Sequence, residues 1–324
     1  MAGKFLELNR FSGNPILKPI PQNSWECLET FNAGAIVLDN KVHLFYRAVG
    51  IDWISRIGYA TSQNGFSIDF RHDKPVLQYA YKKDKEEVIE VESSPGLNYL
   101  GIEDCRVTKV ENEENVYFTS TILTPICLRI GLTKIKEKDI LKKKWNFSRV
   151  KLISPPNFNN KNWVIFPEKL NGKYVILYKI CPTIALEYLD SLDFAKGEYI
   201  KSNGIINGIS FVPWSERIKG AGPPPIKTKD GWLLLFHALN KHGYYSIGAC
   251  LLEYKDPSII NFICPNPILE PKESYEKEGV KPNVVYSCGA VVKNDLLLVY
   301  YGAADTVLCV AYYYLDEFLS KLTF

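Results

Sequence analysis

AGAIVLDNKVHLFYRA, residues 33–48, reads as two apolar stretches joined by Asp39-Asn40-Lys41. Asn and Asp tolerate the left-handed backbone angles that a tight turn between antiparallel strands demands, so the stretch predicts a β-hairpin. The pattern returns four more times: CRVTKVENEENVYFTST (105–121), FPEKLNGKYVILYK (166–179), PPIKTKDGWLLLFHAL (224–239) and CGAVVKNDLLLVYYGA (288–303). Turn centres recur roughly every 60–70 residues, the spacing of propeller blades rather than of solenoid coils.

Each hairpin is followed by a third candidate strand: RIGYATS (56–62), RIGLTK (129–134), IALEYLD (184–190), SIGACLLEY (246–254) and LCVAYYYLD (308–316). An outer fourth strand is expected at DKPVLQ (73–78), KLISPP (151–156) and NPILEP (266–271). The N-terminal NPILKP (14–19) nearly duplicates the last of these. In a closed ring the first segment can complete the last blade and remove an open sheet edge. The expectation is a single all-β domain over 1–324, a five-bladed β-propeller; the alternative is an irregular β-sandwich. KIKEKDILKKKW (134–145) reads as a short surface helix or charged turn, and 79–96 as a polar loop beside the site.

The chain has 324 residues, 46% of them hydrophobic, enough to bury a sizeable core. Its formal net charge of +3 is too balanced to imply a nucleic-acid or membrane partner through bulk electrostatics. Eight cysteines lie scattered without a CxxC pair, which argues for free thiols in a reducing compartment over a zinc site or disulfide framework. MAGKFLELNRFSGNP lacks the apolar run of a signal peptide, and a cytoplasmic protein is expected.

Hairpin ends of a propeller gather around the axis. Reading them as rim positions brings together Asn32, Arg47, Asp104, Arg106, Lys179, His237, Tyr301 and Asp305. A purely structural ring has little use for so many polar groups there, since each needs a partner once buried. Acid catalysis at a glycosidic bond needs a carboxyl group, which Asp104 in GIEDCRV (101–107) can furnish. Anion binding needs fixed cationic donors, for which Arg106, Lys161, Lys169, Lys179 and His237 are available.

IEDCRV, FPEKLNGKYVILYK, GAGPPPIKTKDGWLLLFHAL, GVKPNVVYSCGAVV and YYGAADT together resemble glycoside hydrolase family 130, the β-mannoside phosphorylases and related β-mannosidases. The resemblance runs from FNAGAI near residue 31 to LDEF ending at 318. It implies a five-bladed propeller and an inverting reaction: inorganic phosphate attacks a terminal β-mannosyl residue of a manno-oligosaccharide, giving α-mannose 1-phosphate. It further implies one carboxylic acid, Asp104 by motif position, whose proton reaches the bridging oxygen through a sugar hydroxyl. Arg106, Lys161, Lys179 and His237 would surround phosphate, and Asn32, Arg47, Lys169, Tyr301 and Asp305 would hold sugar. Phosphate is then a co-substrate; no metal or organic cofactor is expected, and self-association into a homo-oligomer is left open.

An inverting phosphorylase lets phosphate replace the general base of an inverting hydrolase, so a cationic cradle stands where a second carboxylate would. Lys161 and Lys179 occupy positions usually held by arginine in the family, and the lysine usually found before GAGP is shifted, with Arg217 and Lys219 nearby. Lysine keeps the charge but lacks the bidentate fork. A β-mannosidase on the same fold therefore stays open as the first alternative, and a non-catalytic carbohydrate-binding propeller as the second.

Overall fold

The computed structural model describes residues 6–82, 87–90, 101–204, 210 and 212–323. Five antiparallel sheets surround one axis, each grown from one of the hairpins. Blade 1 consists of Glu29–Leu38, Lys41–Val49, Ser55–Ser62 and Phe70–Arg71. Blade 2 consists of Ile102–Lys109, Asn115–Leu123, Leu128–Lys136 and Lys151–Leu152. Blade 3 has three strands among the described residues, Val164–Ile165, Tyr174–Lys179 and Ala185–Leu189. Blade 4 runs from Arg217–Ala221 through Gly231–Leu239 and Tyr245–Leu252 to Ile260–Ile263, with Ile226–Thr228 also paired to the second strand. Blade 5 consists of Val285–Lys293, Leu296–Ala303, Val307–Tyr314 and the N-terminal Asn9–Arg10.

The turn residues behave as their chemistry requires. Asp39 and Asn40 have φ of 47° and 54°, Asn171 and Gly172 51° and 79°, Asn294 and Asp295 48° and 61°. Two successive positive angles are the signature of the tight hairpin turn whose twist matches that of the strands.

Packing closes the ring. One apolar cluster lies between each pair of neighbouring blades: Phe45 with Phe118 between blades 1 and 2, Ile130 with Ile176 between 2 and 3, Phe166 with Trp232 between 3 and 4. Leu235 and Val299 share the cluster between blades 4 and 5, and Ala35 and Tyr300 the one between 5 and 1. The last seam is locked from the N-terminus, where Asn9 pairs with Tyr312, Arg10 with Ala311, and Leu17 bridges Leu308.

The outer edges differ from expectation in one respect. The fourth strands precede the PVL and PIL segments, which instead return to the start of the third strand as single bridges, Ile57 to Leu77 and Ile247 to Leu269. Asp73-Lys74-Pro75 and Pro265-Asn266-Pro267 interrupt the strand there, because proline cannot donate to the ladder. The charged run after blade 2's third strand folds as the helix Glu137–Leu141. Part of the expected 79–96 loop is a hairpin, Tyr79–Lys82 against Glu87–Glu90; 83–86 and 91–96 lie outside the described residues. All eight cysteines are free, and all but Cys27 are buried. Among the described residues no helix is long and apolar enough to cross a membrane.

Candidate active site

The innermost strands do not run straight to the mouth of the ring. Their register breaks between Phe31 and Gly34 in blade 1, between Glu103 and Arg106 in blade 2, and between Ser287 and Gly289 in blade 5. Such bulges re-aim side chains. At the first two, Asn32 and Asp104 take φ of 45° and 51°, a left-handed region that Asn and Asp enter more readily than other side chains. The two face each other, and Asn32 Nδ2 donates to Asp104 Oδ1 at 2.9 Å. Gly302 lies against this pair, where a Cβ would stand 2.1 Å from Asn32 Oδ1.

Arg47 joins the pair from the second strand of blade 1. Its Nη2 lies 3.1 Å from Glu103 and its Nη1 3.5 Å from Asp104, while its Nε donates to Ser55 Oγ at 2.9 Å. The other oxygen of Glu103 meets Lys161 Nζ at 3.4 Å. Adjacent carboxylates thus have distinct duties: Glu103 ties blade 1 to the blade 2–3 connection, and Asp104 points to the axis. Burial pushes the Asp104 carboxyl up, but Arg47, Arg106 and Lys161 outweigh it and hold the group below its ordinary value. In the free site Asp104 is ionised at neutral pH.

Two other carboxyls behave oppositely. Burial raises Asp305 to about 6, against the pull of Lys281 and with help from the Asp104 charge. Burial likewise raises Glu29 to about 7, opposed by Arg47 and reinforced by Asp305 and Glu103. Glu29 was not singled out from the sequence. It carries no motif and is distinguished only by the company the fold gives it.

Lys161, whose charge acts on Asp104, lines an open pocket of about 380 Å³ together with Lys179, Lys219, Trp163, Tyr178 and Gly220. Among the described residues Lys179 and Lys219 have no acidic partner, and Lys161 has only Glu103. Burial lowers Lys219, and Lys281, Arg217 and Lys161 lower it further by repulsion. A concentration of uncompensated positive charge is an anion site.

Arg106 and His237 form the layer below. The Arg106 guanidinium, 2% exposed, donates to the carbonyls of Asp104 (2.8 Å) and Gly222 (3.2 Å), to Asn162 Oδ1 (2.8 Å) and to the Tyr286 hydroxyl (3.0 Å). His237 is fully buried and its ring stacks on Tyr286 at 3.6 Å. His237 Nε2 lies 2.8 Å from the Ser287 carbonyl and 3.0 Å from the Ser287 backbone nitrogen, and among the described residues Nδ1 has no hydrogen-bond partner. Burial, with Arg106 adding to it, drops the imidazole to about 3 and keeps it neutral. Asn162 is the hub that sequence reading missed: it accepts from Arg106 and Tyr286, and its Nδ2 donates to the Lys219 carbonyl at 2.9 Å. Its place beside Lys161 in NKNW was the available signal.

Two expected sugar contacts lie elsewhere. Tyr301 is fully buried in the seam between blades 4 and 5, donating to Glu276 Oε1 at 2.8 Å. Lys169 pairs with Glu113 at 2.7 Å in the hairpin turns at the opposite end of the inner strands. Neither reaches the cluster around Asp104.

The sequence matches the family described as beta-1,4-mannooligosaccharide phosphorylase (Glyco_hydro_130) over residues 9–323. Two relatives from Thermoanaerobacter sp. (strain X514) are each 37% identical: a 1,2-beta-oligomannan phosphorylase, covering 94% of this chain and 97% of its own length, and a beta-1,2-mannobiose phosphorylase, covering 94% and 96%. The solved beta-1,2-mannobiose phosphorylase from Listeria innocua, in complex with beta-1,2-mannobiose, superposes with a TM-score of 0.74 at 25% identity, over 97% of this chain and 99% of that one. Similarity that spans every blade, including the N-terminal strand that closes the ring, makes this chain an enzyme of glycoside hydrolase family 130.

Proposed function

We propose that the protein is an inverting phosphorylase that cleaves terminal β-mannosidic bonds with inorganic phosphate, releasing α-mannose 1-phosphate and a shortened acceptor. The observation that carries this reading is the pocket lined by Lys161, Lys179 and Lys219, in whose described lining no carboxylate stands and where only Lys161 has an acidic partner, Glu103. A hydrolase needs a second carboxylate to activate water, whereas a phosphorylase needs cations to hold its nucleophile. Lys161, Lys179 and Lys219 hold phosphate, and Arg106 with His237 supports the floor between them and Asp104. Asn32, Arg47 and Asp305 bind the mannosyl hydroxyls. The relatives' names favour β-1,2 linkages over β-1,4.

Asp104 is the proton donor. In the free site it is ionised by its cationic neighbours. Phosphate entering beside Lys161 offsets part of that field and raises Asp104 toward the protonated form. The proton then passes through a mannosyl hydroxyl to the bridging oxygen as the C–O bond breaks, and a phosphate oxygen bonds to the anomeric carbon from the opposite face.

The test is product analysis on β-1,2- and β-1,4-mannobiose with and without phosphate. Mannose 1-phosphate formed only in the presence of phosphate, faster from the β-1,2 substrate, is the expected result. Free mannose formed equally without phosphate would assign the chain to the β-mannosidases, with lysine in place of arginine as the reason.

A further inference from the structure

A second open pocket, also about 380 Å³, lies on the blade 1 side, lined by Glu29, Arg47, Trp53, Ser55 and Glu103 among others. Glu103 stands between the two pockets, one carboxylate oxygen toward Arg47 and the other toward Lys161. Asp104 lies 3.5 Å from Arg47 of this pocket and feels the charge of Lys161 of the other, so both pockets adjoin the acid.

The Glu29 side chain has no hydrogen bond or ion pair among the described residues, although the residue is only 5% exposed. Its neighbour Arg47 is committed to Ser55, Glu103 and Asp104. Glu29 lines the open pocket, so a ligand hydroxyl can take the place of water on its carboxyl. Trp53 shows the complementary anomaly: its indole stands 53% exposed at the rim, with φ of 60°. The loop that presents it is clamped. Asp52 pairs with Arg56 and accepts the Ile54 N–H at 3.1 Å, Trp53 N–H donates to the Gly50 carbonyl at 2.9 Å, and Ile51 N–H donates to Ser24 at 2.9 Å. Side-chain substitution at Gly50 is blocked, because a Cβ would meet the Ser24 carbonyl at 2.1 Å. A rigid exposed indole next to an unpartnered carboxyl is the pairing that binds a sugar, the ring face on the aromatic and a hydroxyl on the acid.

We propose that this pocket takes the acceptor sugar, the leaving group of phosphorolysis and the nucleophile of the reverse synthesis, with Glu29 and Trp53 setting acceptor affinity. The assignment rests on the inverting reading above, since in-line displacement puts nucleophile and leaving group on opposite sides of the anomeric carbon. With phosphate on the lysine side, the acceptor belongs on the Glu29 side.

The experiment is synthesis from α-mannose 1-phosphate and free mannose, followed by phosphate release, in wild type, Glu29→Ala, Glu29→Gln and Trp53→Ala. Each alanine variant should raise the acceptor KM about tenfold or more, leaving the mannose 1-phosphate KM within about twofold, and Glu29→Gln should recover most of the loss. Trp53 is half exposed, so its replacement tests the pocket without testing the fold. Acceptor KM unchanged in Trp53→Ala and Glu29→Ala, or both KM values moving together, would overturn the proposal while the phosphorylase reading stood. A wild type that releases no phosphate but hydrolyses mannobiose would instead defeat that reading. The pocket is then judged by mannobiose KM in hydrolysis, which must rise in both alanine variants.

Discussion

Two buried polar clusters, about equally hidden from solvent, are built on opposite plans. At the seam between blades 4 and 5 the Glu276 carboxylate is saturated: Arg10 donates twice (2.8 and 3.0 Å), Tyr301 once (2.8 Å), and the backbone amides of Lys272 and Glu273 once each (2.7 and 3.0 Å). Among the described residues at the axis, Asn32 Oδ1 and His237 Nδ1 have no hydrogen-bond partner and Glu29 has no ion pair, and Asp305 is pushed up to about 6. Satisfaction marks the seam as structure; its lack marks the axis as a place awaiting a ligand. Burial and residue type alone do not separate the two, as Tyr301 illustrates.

The largest test of this contrast is Asp104→Asn. The amide preserves shape and can still accept from Asn32, but it carries no transferable proton. Phosphorolysis should fall at least about a thousandfold, with the melting temperature unchanged or raised. Activity within tenfold of wild type would move the acid elsewhere in the site. Glu276→Gln is the mirror experiment. It removes the buried one of Arg10's two counter-charges, leaving only Glu7, and should destabilise the fold by about 3 kcal/mol in denaturant titrations. The kcat/KM of the remaining folded protein should stay within twofold, and a selective loss of activity would mean that the seam and the axis are one system. Next comes the lysine pocket: Lys179→Ala or Lys219→Ala should raise the phosphate KM about tenfold, equivalent to about 1.4 kcal/mol, without changing the mannoside KM. Equal effects on both substrates would dissolve the division of the site into two sides.

The ring itself was legible because its signals are local. Asp39-Asn40, Asn171-Gly172 and Asn294-Asp295 each fix a hairpin through their own backbone preferences, and the near-copy NPILKP/NPILEP announced that the N-terminus would complete blade 5. Asn32, Arg47 and Asp104 come together because they lie toward the same ends of their strands, while Lys161 arrives from the connection between blades 2 and 3. What failed was side-chain parity. Counted from the pairs Gly34–Phe45 in blade 1 and Gly289–Tyr300 in blade 5, Tyr301 takes the place of Tyr46 rather than of Arg47, and a shift of one residue turns a side chain to the other face. Tyr301 therefore points into the seam. The pairing of Lys169 with Glu113, and the isolation of Glu29, arise between segments far apart in sequence, where no local pattern records them.

Asp305 sits at the boundary of the comparison and supplies its smallest and most discriminating test. Its carboxyl titrates near 6 in the folded protein and near 3.8 when unfolded, so the folded state binds more protons between those values. Stability is consequently lost as pH rises through that window, the reverse of the saturated Glu276, whose carboxyl is held down by Arg10 and by backbone amides despite its burial. Asp305→Asn should then stabilise the protein at pH 7.5, by about 1 kcal/mol after allowance for solvent screening at the pocket mouth, and by less at pH 5. The same variant should weaken mannoside binding, since the amide presents one acceptor oxygen to the sugar instead of two. If thermal melts show Asp305→Asn destabilising at pH 7.5, the carboxylate is part of the structural framework, and the axis is satisfied after all at that point. If stability rises while mannoside KM worsens, the residue is kept at a cost to the fold for the sake of the ligand, which is the property that separates the axis from the seam.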